Sequence, residues 1–352
     1  MKDYGQRITN SLWRQNPERD TIMETRALSE TLSDSYDIQK YIKVAMNEVD
    51  EKYTARTIET GERVKSHLQK GLQNIDYRYQ GSVMTRTHIK GYSDIDLLTI
   101  CNKFYTWDSY NANRILESYT ERQKYYQSQI EKLEYEKNLS LYTGNSYEDL
   151  RGIRLNSENI LQRTYDKCDI SHPKAIKIRN QDLHRDVDIV TASWYDDVRS
   201  ITQGKGDYRG IQIYNKDNGY CESSDYPFLS IKRINDRGGA THGRIKKMIR
   251  FLKTLKADSS TEIRLSSFDI NAICYNIETT KYQNATYLEL VIVLYLEFDK
   301  INNDINYANQ IVSVDGKEYI FNGNPDKYSE FKKLYIELIE IVKDLHTYKL
   351  IG

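Results

Sequence analysis

Two aspartates separated by one residue, Asp94 and Asp96, stand at the start of the apolar run 95–100. Alternate residues of a β-strand point to the same side, so their Cα atoms would lie roughly 7 Å apart, with both carboxylates on one face. Carboxylate oxygens are the ligands that Mg²⁺ prefers, and this ion keeps coordination sites for water and for substrate phosphates. The pattern therefore predicts a metal-binding strand that faces a phosphate-bearing substrate.

A second alternating segment supplies a third carboxylate. In the run 184–190, Asp188 lies between two apolar residues, as Asp96 does. Two divalent ions held about 3.5–4 Å apart can stabilise the attacking and the leaving oxygen of an in-line displacement at phosphorus. We expect Asp94, Asp96 and Asp188 to bind two such ions, Mg²⁺ or Mn²⁺, and to catalyse a displacement of this kind. Asp186 would share the strand face of Asp188 and is the weaker candidate, with simple exposure to solvent as its alternative.

A Gly-Ser step, Gly81-Ser82, precedes the first aspartates and follows a short strand expected at residues 77–79. Glycine lets the backbone approach a phosphate closely, and Ser82 would add a hydroxyl and a backbone N–H beside the start of a helix. A Gly-Ser loop without a ligand is the ordinary alternative. The position of the step ahead of Asp94 favours a nucleotide-binding turn.

A long helix would bring the chain to this turn. Apolar residues recur at helical spacing over residues 38–49 and again over residues 58–72, and no proline intervenes. We therefore expect one helix from residue 35 to near residue 73.

Composition limits the classes of function. The 352 residues exceed the usual size of one domain and predict two lobes, and the 39% of apolar residues allow a sizeable core. The 51 basic and 51 acidic residues give a formal net charge of zero, which argues against constitutive binding of duplex nucleic acid. The most apolar run, residues 288–298, contains two glutamates and is shorter than the roughly 20 residues that span a bilayer. We expect no membrane segment.

Cysteine usage indicates the compartment. The four cysteines, Cys101, Cys168, Cys221 and Cys274, have no Cys-x-x-Cys spacing, and the six histidines do not cluster with them. Disulfide frameworks and zinc sites are therefore not expected. The N-terminus also lacks an apolar signal segment. These features favour a cytoplasmic protein.

A local excess of positive charge lies between residues 230 and 256, with nine Lys or Arg residues against one Asp. On the helix expected to begin near Thr241, apolar side chains form one face, and Lys246, Arg250 and Lys253 form another. A solvated basic face is the ordinary interpretation. A bound triphosphate would also require such cations, because positioning and charge neutralisation supply most of the catalysis in phosphoryl transfer.

These motifs together resemble the polymerase-beta-like nucleotidyltransferase superfamily. The segments that carry the resemblance are Gly81-Ser82, residues 93–98 and residues 187–190. Within the superfamily they are most similar to the bacterial cGAS/DncV-like nucleotidyltransferases, or CD-NTases, of anti-phage (CBASS) signalling. The resemblance covers roughly residues 35–300.

The resemblance implies an α+β fold. Residues 1–215 would form the catalytic palm lobe, a mixed sheet with helices that includes the long N-terminal helix. Residues 216–352 would form a mainly helical second lobe, and the long helix would bridge the two, with the active site in the cleft. The zinc-binding insertion with which the animal DNA sensor of the superfamily holds DNA has no counterpart in this sequence.

The resemblance also implies roles for residues of the second lobe. The string 249–253 is similar to a family helix in which an Arg and a Lys face the donor triphosphate, which implies nucleotide binding by Lys253 first and Arg250 second. The string 266–270 is similar to the place where the family has a phosphate-contacting residue followed by a base-stacking aromatic. That similarity implies nucleotide contacts by Ser267 and Phe268, with burial in the core as the alternative for Phe268.

The implied activity is the condensation of nucleoside triphosphates (ATP, GTP, UTP or CTP) into a cyclic di- or trinucleotide second messenger, with release of pyrophosphate. Asp94 and Asp96 would hold the ion on the donor triphosphate and share with Asp188 the ion that activates the acceptor hydroxyl. The implied partners are a downstream effector of the cyclic product and regulators encoded in the same operon. A linear 2′-5′ oligonucleotide synthase, an RNA-end nucleotidyltransferase and a non-catalytic nucleotide-sensing module are the alternatives. The sequence leaves the bases, ring size and linkage open.

Overall fold

The structure, a computed structural model, describes residues 2–13, 37–89, 91, 95–219 and 223–351. These residues form two compact units. The sheet unit contains residues 51–84, 95–219 and 223–232, and the helical unit contains residues 2–13, 37–50, 85–89, 91 and 233–351. The chain therefore leaves the sheet unit after Met84 for a short segment and belongs to it again by Ile95.

A mixed sheet is the main feature of the sheet unit. Its six strands are β1 (Ile75–Gln80), β2 (Ile95–Trp107), β3 (Cys168–Asp169), β4 (Ile176–Asn180), β5 (Arg185–Asp196) and β6 (Gly210–Ile213). The strand order is β1-β2-β5-β4-β3, and β6 pairs with the second half of β5. Strands β2 and β5 run parallel, and every other pair is antiparallel.

Helices make up most of the remaining described chain. In chain order they are α1 (Tyr4–Trp13), α2 (Asp37–Met46), α3 (Glu51–Gln69), α4 (Ser109–Glu117), α5 (Tyr119–Arg122), α6 (Gln127–Lys137), α7 (Ser146–Thr164), α8 (Val198–Gln203), α9 (Pro227–Ala240), α10 (Arg244–Ala257), α11 (Ser267–Asn276), α12 (Tyr287–Asn303), α13 (Ile305–Ala308) and α14 (Pro325–Thr347).

Side-chain alternation along β2 and β5 separates two faces of the sheet. One face, which includes Leu97 and Ile189, packs on α3 and α7 in a buried apolar core. The close approach of α3 depends on Gly61, because a Cβ at that position would lie 2.8 Å from the ring of Tyr79. The other face carries a second apolar cluster that includes Val190, while the preceding residues of that face are polar.

The helical unit has a core of its own, built from α1, α2, α10, α11, α12 and α14. Phe251, Phe298 and Phe331 are fully buried there, and the rings of the last two lie 4.8 Å apart between centroids. Burial of each such side chain stabilises the fold by roughly 1.5–3 kcal/mol. The core is therefore large enough to hold its helices together.

The most apolar run of the sequence lies in α12, which is 17 residues long. Leu290, Val291 and Leu294 of this helix are buried in the core of the helical unit. Throughout the described chain, no helix combines the length and the apolar composition that a membrane crossing requires.

The single long helix expected from residue 35 to near residue 73 is wrong. The structure has two helices, α2 and α3, separated by residues 47–50. The N–H of Asn47 donates to the carbonyls of Lys43 and Val44 at the end of α2, and Asp50, a preferred N-cap residue, precedes α3. The apolar spacing continues across the break because each helix is amphipathic, but α2 contributes to the core of the helical unit and α3 to that of the sheet unit.

Candidate active site

Asp96 and Asp188 are neighbours on adjacent strands. They are register partners in the parallel pair of β2 and β5, and strands in a sheet lie about 4.8 Å apart. Register partners point to the same face, so the structure brings these two carboxylates together at the start of both strands. The exposed fraction of the Asp188 side chain is 18%, and Asp96 is half-buried. Solvent and a ligand can therefore reach the pair.

The third predicted carboxylate, Asp94, lies outside the described residues. Among the residues that the structure does describe, no group of three or more His, Cys, Asp or Glu side chains is arranged to hold a metal ion. The described part of the proposed metal site is thus the pair Asp96 and Asp188.

Gly81 is in contact with the carboxylate of Asp96. Strand β1 ends at Gln80, the register partner of Asp96, and Gly81 follows with a φ of +92°. A Cβ built on Gly81 would lie 2.7 Å from Oδ2 of Asp96. The backbone conformation therefore favours glycine, and a larger residue at this position would have to displace the Asp96 carboxylate.

The expected helix start after Gly81-Ser82 is wrong. Residues 82–86 form successive turns, and Ser82 is half-buried within them. Arg86 has a φ of +54°, a left-handed conformation that a helix cannot continue through. The hydroxyls of Thr85 and Thr87 are buried and hydrogen-bonded to each other at 2.7 Å. A phosphate at this turn would meet individual N–H groups rather than the N-terminus of a helix.

Sequence reasoning missed a cation beside Asp188. Lys177 on β4 is its antiparallel register partner, and the Lys177 Nζ lies 2.9 Å from Oδ2 of Asp188. One pleat away, Nη1 of Arg179 lies 3.0 Å from Oδ2 of Asp186. The alternation of apolar and basic residues over 176–179 was the available signal, because it places both cations on one strand face. Both pairs line an open cavity of about 520 Å³.

Strand β4 is held at its beginning by Arg154 of α7. This side chain is 1% exposed, and its Nη2 donates to the carbonyls of His172 at 2.8 Å and Ala175 at 3.0 Å. Its Nε donates to Oε1 of Glu158 at 2.8 Å. The buried guanidinium thus provides hydrogen-bond donors for backbone carbonyls that precede β4. These bonds help to position the strand that carries Lys177.

Arg250 is buried in the helical unit, with 2% of its surface exposed. On α10, its Nε donates to the carbonyl of Met46 at 2.8 Å, and its Nη1 donates to the carbonyl of Arg86 at 2.6 Å. Nη1 also lies 3.6 Å from Oε1 of Glu48. Burial lowers the pKa of the Arg250 guanidinium to about 10.

Lys253, one turn further along α10, is 6% exposed, and its Nζ donates to the carbonyl of Thr87 at 3.2 Å. Burial lowers the pKa of this ammonium to about 8. Arg250 and Lys253 therefore both anchor residues 85–89, which we call the linking segment because it lies in the chain between the Gly81 turn and β2.

The two remaining predicted residues lie at the start of α11. Ser266 is the N-cap of this helix and forms a capping box with Asp269. Ser267 follows in the first turn and is exposed, and Phe268 is half-buried against the core of the helical unit.

Comparison with known proteins identifies relatives along the whole chain. Residues 232–343 match the model of the cGAS/DncV-like nucleotidyltransferase C-terminal helical domain. A c-di-GMP synthase of a Lachnospiraceae bacterium is 44% identical over 346 residues, which cover 98% of this chain and 99% of that protein.

Solved structures of two STING-associated CdnE c-di-GMP synthases are similar in fold. The enzyme from Flavobacteriaceae sp. has a TM-score of 0.87 at 38% identity and covers 99% of both chains. The enzyme from Capnocytophaga granulosa has a TM-score of 0.80 at 44% identity and covers 99% of this chain and all of its own. The predicted α+β architecture, a mixed sheet with helices and a mainly helical part, is thereby confirmed.

Proposed function

Because the chain belongs to the cGAS/DncV-like nucleotidyltransferases and is a synthase of cyclic nucleotides, we propose that its product is cyclic di-GMP. Two GTP molecules would be joined by two phosphodiester bonds, and two pyrophosphates would leave. Similarity to c-di-GMP synthases along almost the full length supports a ring of two guanosine nucleotides over a trinucleotide. It also favours ring closure over the linear synthase, the RNA-end transferase and the nucleotide sensor.

The observation that carries the metal-dependent chemistry of this proposal is the pairing of Asp96 with Asp188 beside the backbone of Gly81. Two carboxylates from adjacent strands on one face of the sheet suit a hard divalent cation, so this donor set fits Mg²⁺ or Mn²⁺. We propose that Asp94 completes the set for two ions. Such ions, when bound, lower the pKa of an attacking hydroxyl and stabilise the charge of a leaving phosphate.

The chain's own residues would orient the nucleotide. The turn that follows Gly81 would offer backbone N–H groups to a phosphate, and Ser82 would add a hydroxyl. We propose Ser267 as a phosphate contact, because an exposed residue in the first turn of a helix lies beside N–H groups that favour anions. The exposed part of the Phe268 ring can stack on a base.

We assign Arg250 and Lys253 an indirect role. Both side chains are buried, and they donate to the carbonyls of Met46, Arg86 and Thr87. They would therefore act on the nucleotide through the linking segment rather than by direct contact with a triphosphate.

The product and the carboxylates are tested together. The purified chain would be incubated with labelled ATP, GTP, CTP and UTP, singly and mixed, with Mg²⁺ or Mn²⁺, and the products resolved by mass. We expect phosphatase-resistant cyclic di-GMP from GTP alone, without an RNA primer. Asp96→Asn and Asp188→Asn should each lower the rate by roughly 100-fold or more, because each removes several kcal/mol of charge stabilisation from the transition state.

Asp186→Asn is the matched control, since Asp186 shares the strand and face of Asp188 but pairs with Arg179. Its rate should stay within a few-fold of wild type. A linear product, or full activity of the Asp96 and Asp188 variants, would overturn the proposal.

The setting of the reaction follows from its chemistry. We propose a cytoplasmic enzyme, because its substrates are nucleoside triphosphates and the described cysteines Cys101, Cys168 and Cys274 are free thiols. The STING association of the two structural relatives supports a STING-type receptor as the effector of the product.

A further inference from the structure

A row of five polar residues crosses the sheet near the start of the catalytic strands. The successive register partners on β1, β2, β5, β4 and β3 are Gln80, Asp96, Asp188, Lys177 and Asp169. Lys177 therefore lies between two carboxylates in this row, and its Nζ is within hydrogen-bond distance of Asp188 Oδ2. A metal ion that binds to this oxygen must compete with the ammonium group.

The ion pair between Lys177 and Asp188 is partly open to solvent. The exposed fractions are 44% for the Lys177 side chain and 18% for that of Asp188, and ion pairs open to solvent contribute little net stability. Lysine has a long flexible stem with a compact ammonium at its end, so this charge can move by several bond lengths without a backbone change. The ammonium can thus leave Asp188 when a better ligand for each partner is present.

The surroundings provide room for such a ligand. Lys177, Asp188 and Arg179 line the open cavity of about 520 Å³, together with Lys167 and the carboxylates of Asp166, Asp169 and Asp186. A phosphate oxygen is a strong acceptor for an ammonium group, and a divalent cation is a stronger partner for a carboxylate than a single positive charge is. A nucleotide that arrives with its metal ion therefore brings both replacement partners at once.

We propose that Lys177 is an exchangeable counter-ion of the catalytic site, bound to Asp188 in the free enzyme and transferred to a phosphate oxygen of the bound nucleotide when a divalent cation takes its place. This inference rests on the proposed function, because it requires Asp188 to be a metal ligand. Lys177 then has two effects of opposite sign. It weakens metal binding before the nucleotide arrives and strengthens nucleotide binding afterwards.

The first arm of the test measures Mn²⁺ binding to the full-length chain without nucleotide, by electron paramagnetic resonance. Lys177→Met should bind Mn²⁺ roughly tenfold more tightly than wild type, because removal of one positive charge next to Asp188 removes its repulsion of the ion. Lys177→Arg keeps the charge and should bind as wild type does. Arg179→Met is the matched control, since it removes a cation from the same strand face that pairs with Asp186 instead, and it should leave Mn²⁺ affinity unchanged.

The second arm measures steady-state kinetics at saturating Mn²⁺. Lys177→Met should raise the KM for GTP roughly tenfold, because one charge-assisted contact with a phosphate oxygen is lost. Lys177→Arg keeps the charge, so its KM should stay close to the wild-type value. Tighter metal binding together with weaker nucleotide binding is a combination that general loss of structure does not produce. The melting temperature of each variant reports its folding.

Two results would overturn the inference: unchanged or weaker Mn²⁺ binding in Lys177→Met, or an equal shift in Arg179→Met. Asp188→Asn separates this failure from that of the proposed function. If Asp188→Asn weakens Mn²⁺ binding while Lys177→Met does not change it, the metal site stands and the counter-ion role is wrong. If Asp188→Asn leaves Mn²⁺ binding intact, the metal assignment itself is wrong.

Discussion

Gly81 meets two requirements that other residues do not. Its φ of +92° is unfavourable for any residue with a side chain, and a Cβ at this position would lie only 2.7 Å from Oδ2 of Asp96. A side chain at position 81 would therefore displace the carboxylate. At this site the missing side chain is as necessary to the geometry as the two aspartates are.

We predict that Gly81→Ala lowers both stability and activity. In a residue other than glycine, a left-handed backbone conformation costs of the order of 1–3 kcal/mol of folding free energy. The added methyl group must also displace the Asp96 carboxylate, so Mn²⁺ affinity and the rate of cyclic product formation should each fall roughly tenfold or more. Thermal unfolding, Mn²⁺ binding and steady-state kinetics would measure the three effects.

Gly204→Ala is the control for this variant. Gly204 has a similar φ of +90°, but no heavy atom lies within 4 Å of its Cβ position. It should lose comparable stability while keeping its activity and metal affinity. Equal losses of activity in the two variants would show that the contact with Asp96 is unimportant.

Among the elements, the linking segment and α10 depend on each other. The segment carries Arg86 in a left-handed conformation, and the carbonyls of Arg86 and Thr87 are bound by buried cations of α10. Unpaired carbonyls in a core are costly, so the helix supplies donors where the segment has no regular secondary structure. A helix of the helical unit thus anchors the chain that joins the Gly81 turn to β2.

We predict a pH-dependent effect of Lys253→Met. Burial lowers the Lys253 pKa to about 8, whereas the unfolded chain would keep it near 10.4. Between these pH values the unfolded state binds more protons than the folded state. The contribution of Lys253 to the free energy of unfolding of the wild type therefore rises with pH. The variant lacks this rise. The free energy of unfolding of Lys253→Met minus that of the wild type should therefore be highest near pH 7. This difference should fall by about 3 kcal/mol toward pH 10.

Denaturant unfolding of both proteins at several pH values would measure this difference. Lys247→Met on the same helix is the control, because the Lys247 side chain lies over the ring of Tyr287 instead of donating to the linking segment. Parallel stability curves for wild type and Lys253→Met would contradict the prediction.

Across the whole molecule, the local excess of positive charge has a structural use. Besides Arg250 and Lys253, four cations of residues 230–256 donate to carbonyls within the helical unit: Arg233 to Val314, Arg237 to Tyr275, Arg244 to Ala285 and Lys256 to Leu265. Long cationic side chains can satisfy buried carbonyls at the ends of helices and in loops. The basic segment therefore serves largely to join the elements of this unit, and the net charge of the chain remains zero.

We predict that duplex DNA neither stimulates nor inhibits the synthase. A chain with 51 basic and 51 acidic residues, and with much of its basic segment engaged internally, has little charge available for phosphate backbones. Rates of cyclic product formation with and without duplex DNA, at low and moderate salt, should agree within twofold. A several-fold stimulation that disappears at higher salt would contradict this expectation.

Local patterns in the sequence predicted the candidate site and the fold family. The alternation around Asp96 and Asp188 is a property of each strand by itself, so the carboxylates, the Gly-Ser turn and the family resemblance could all be read without coordinates. The same holds for the apolar periodicity of α10. These features depend on residues a few positions apart, and the physical period of a strand or a helix makes them visible.

Only the tertiary structure decided which distant residues meet. The register that places Asp188 beside both Asp96 and Lys177 depends on strand pairing, and the burial of Arg250 and Lys253 depends on the linking segment packing against α10. The break between α2 and α3 likewise reflects two separate cores, which helical spacing along one chain does not distinguish. Contacts between residues far apart in the chain arise from packing, and packing leaves no periodic signal in the sequence.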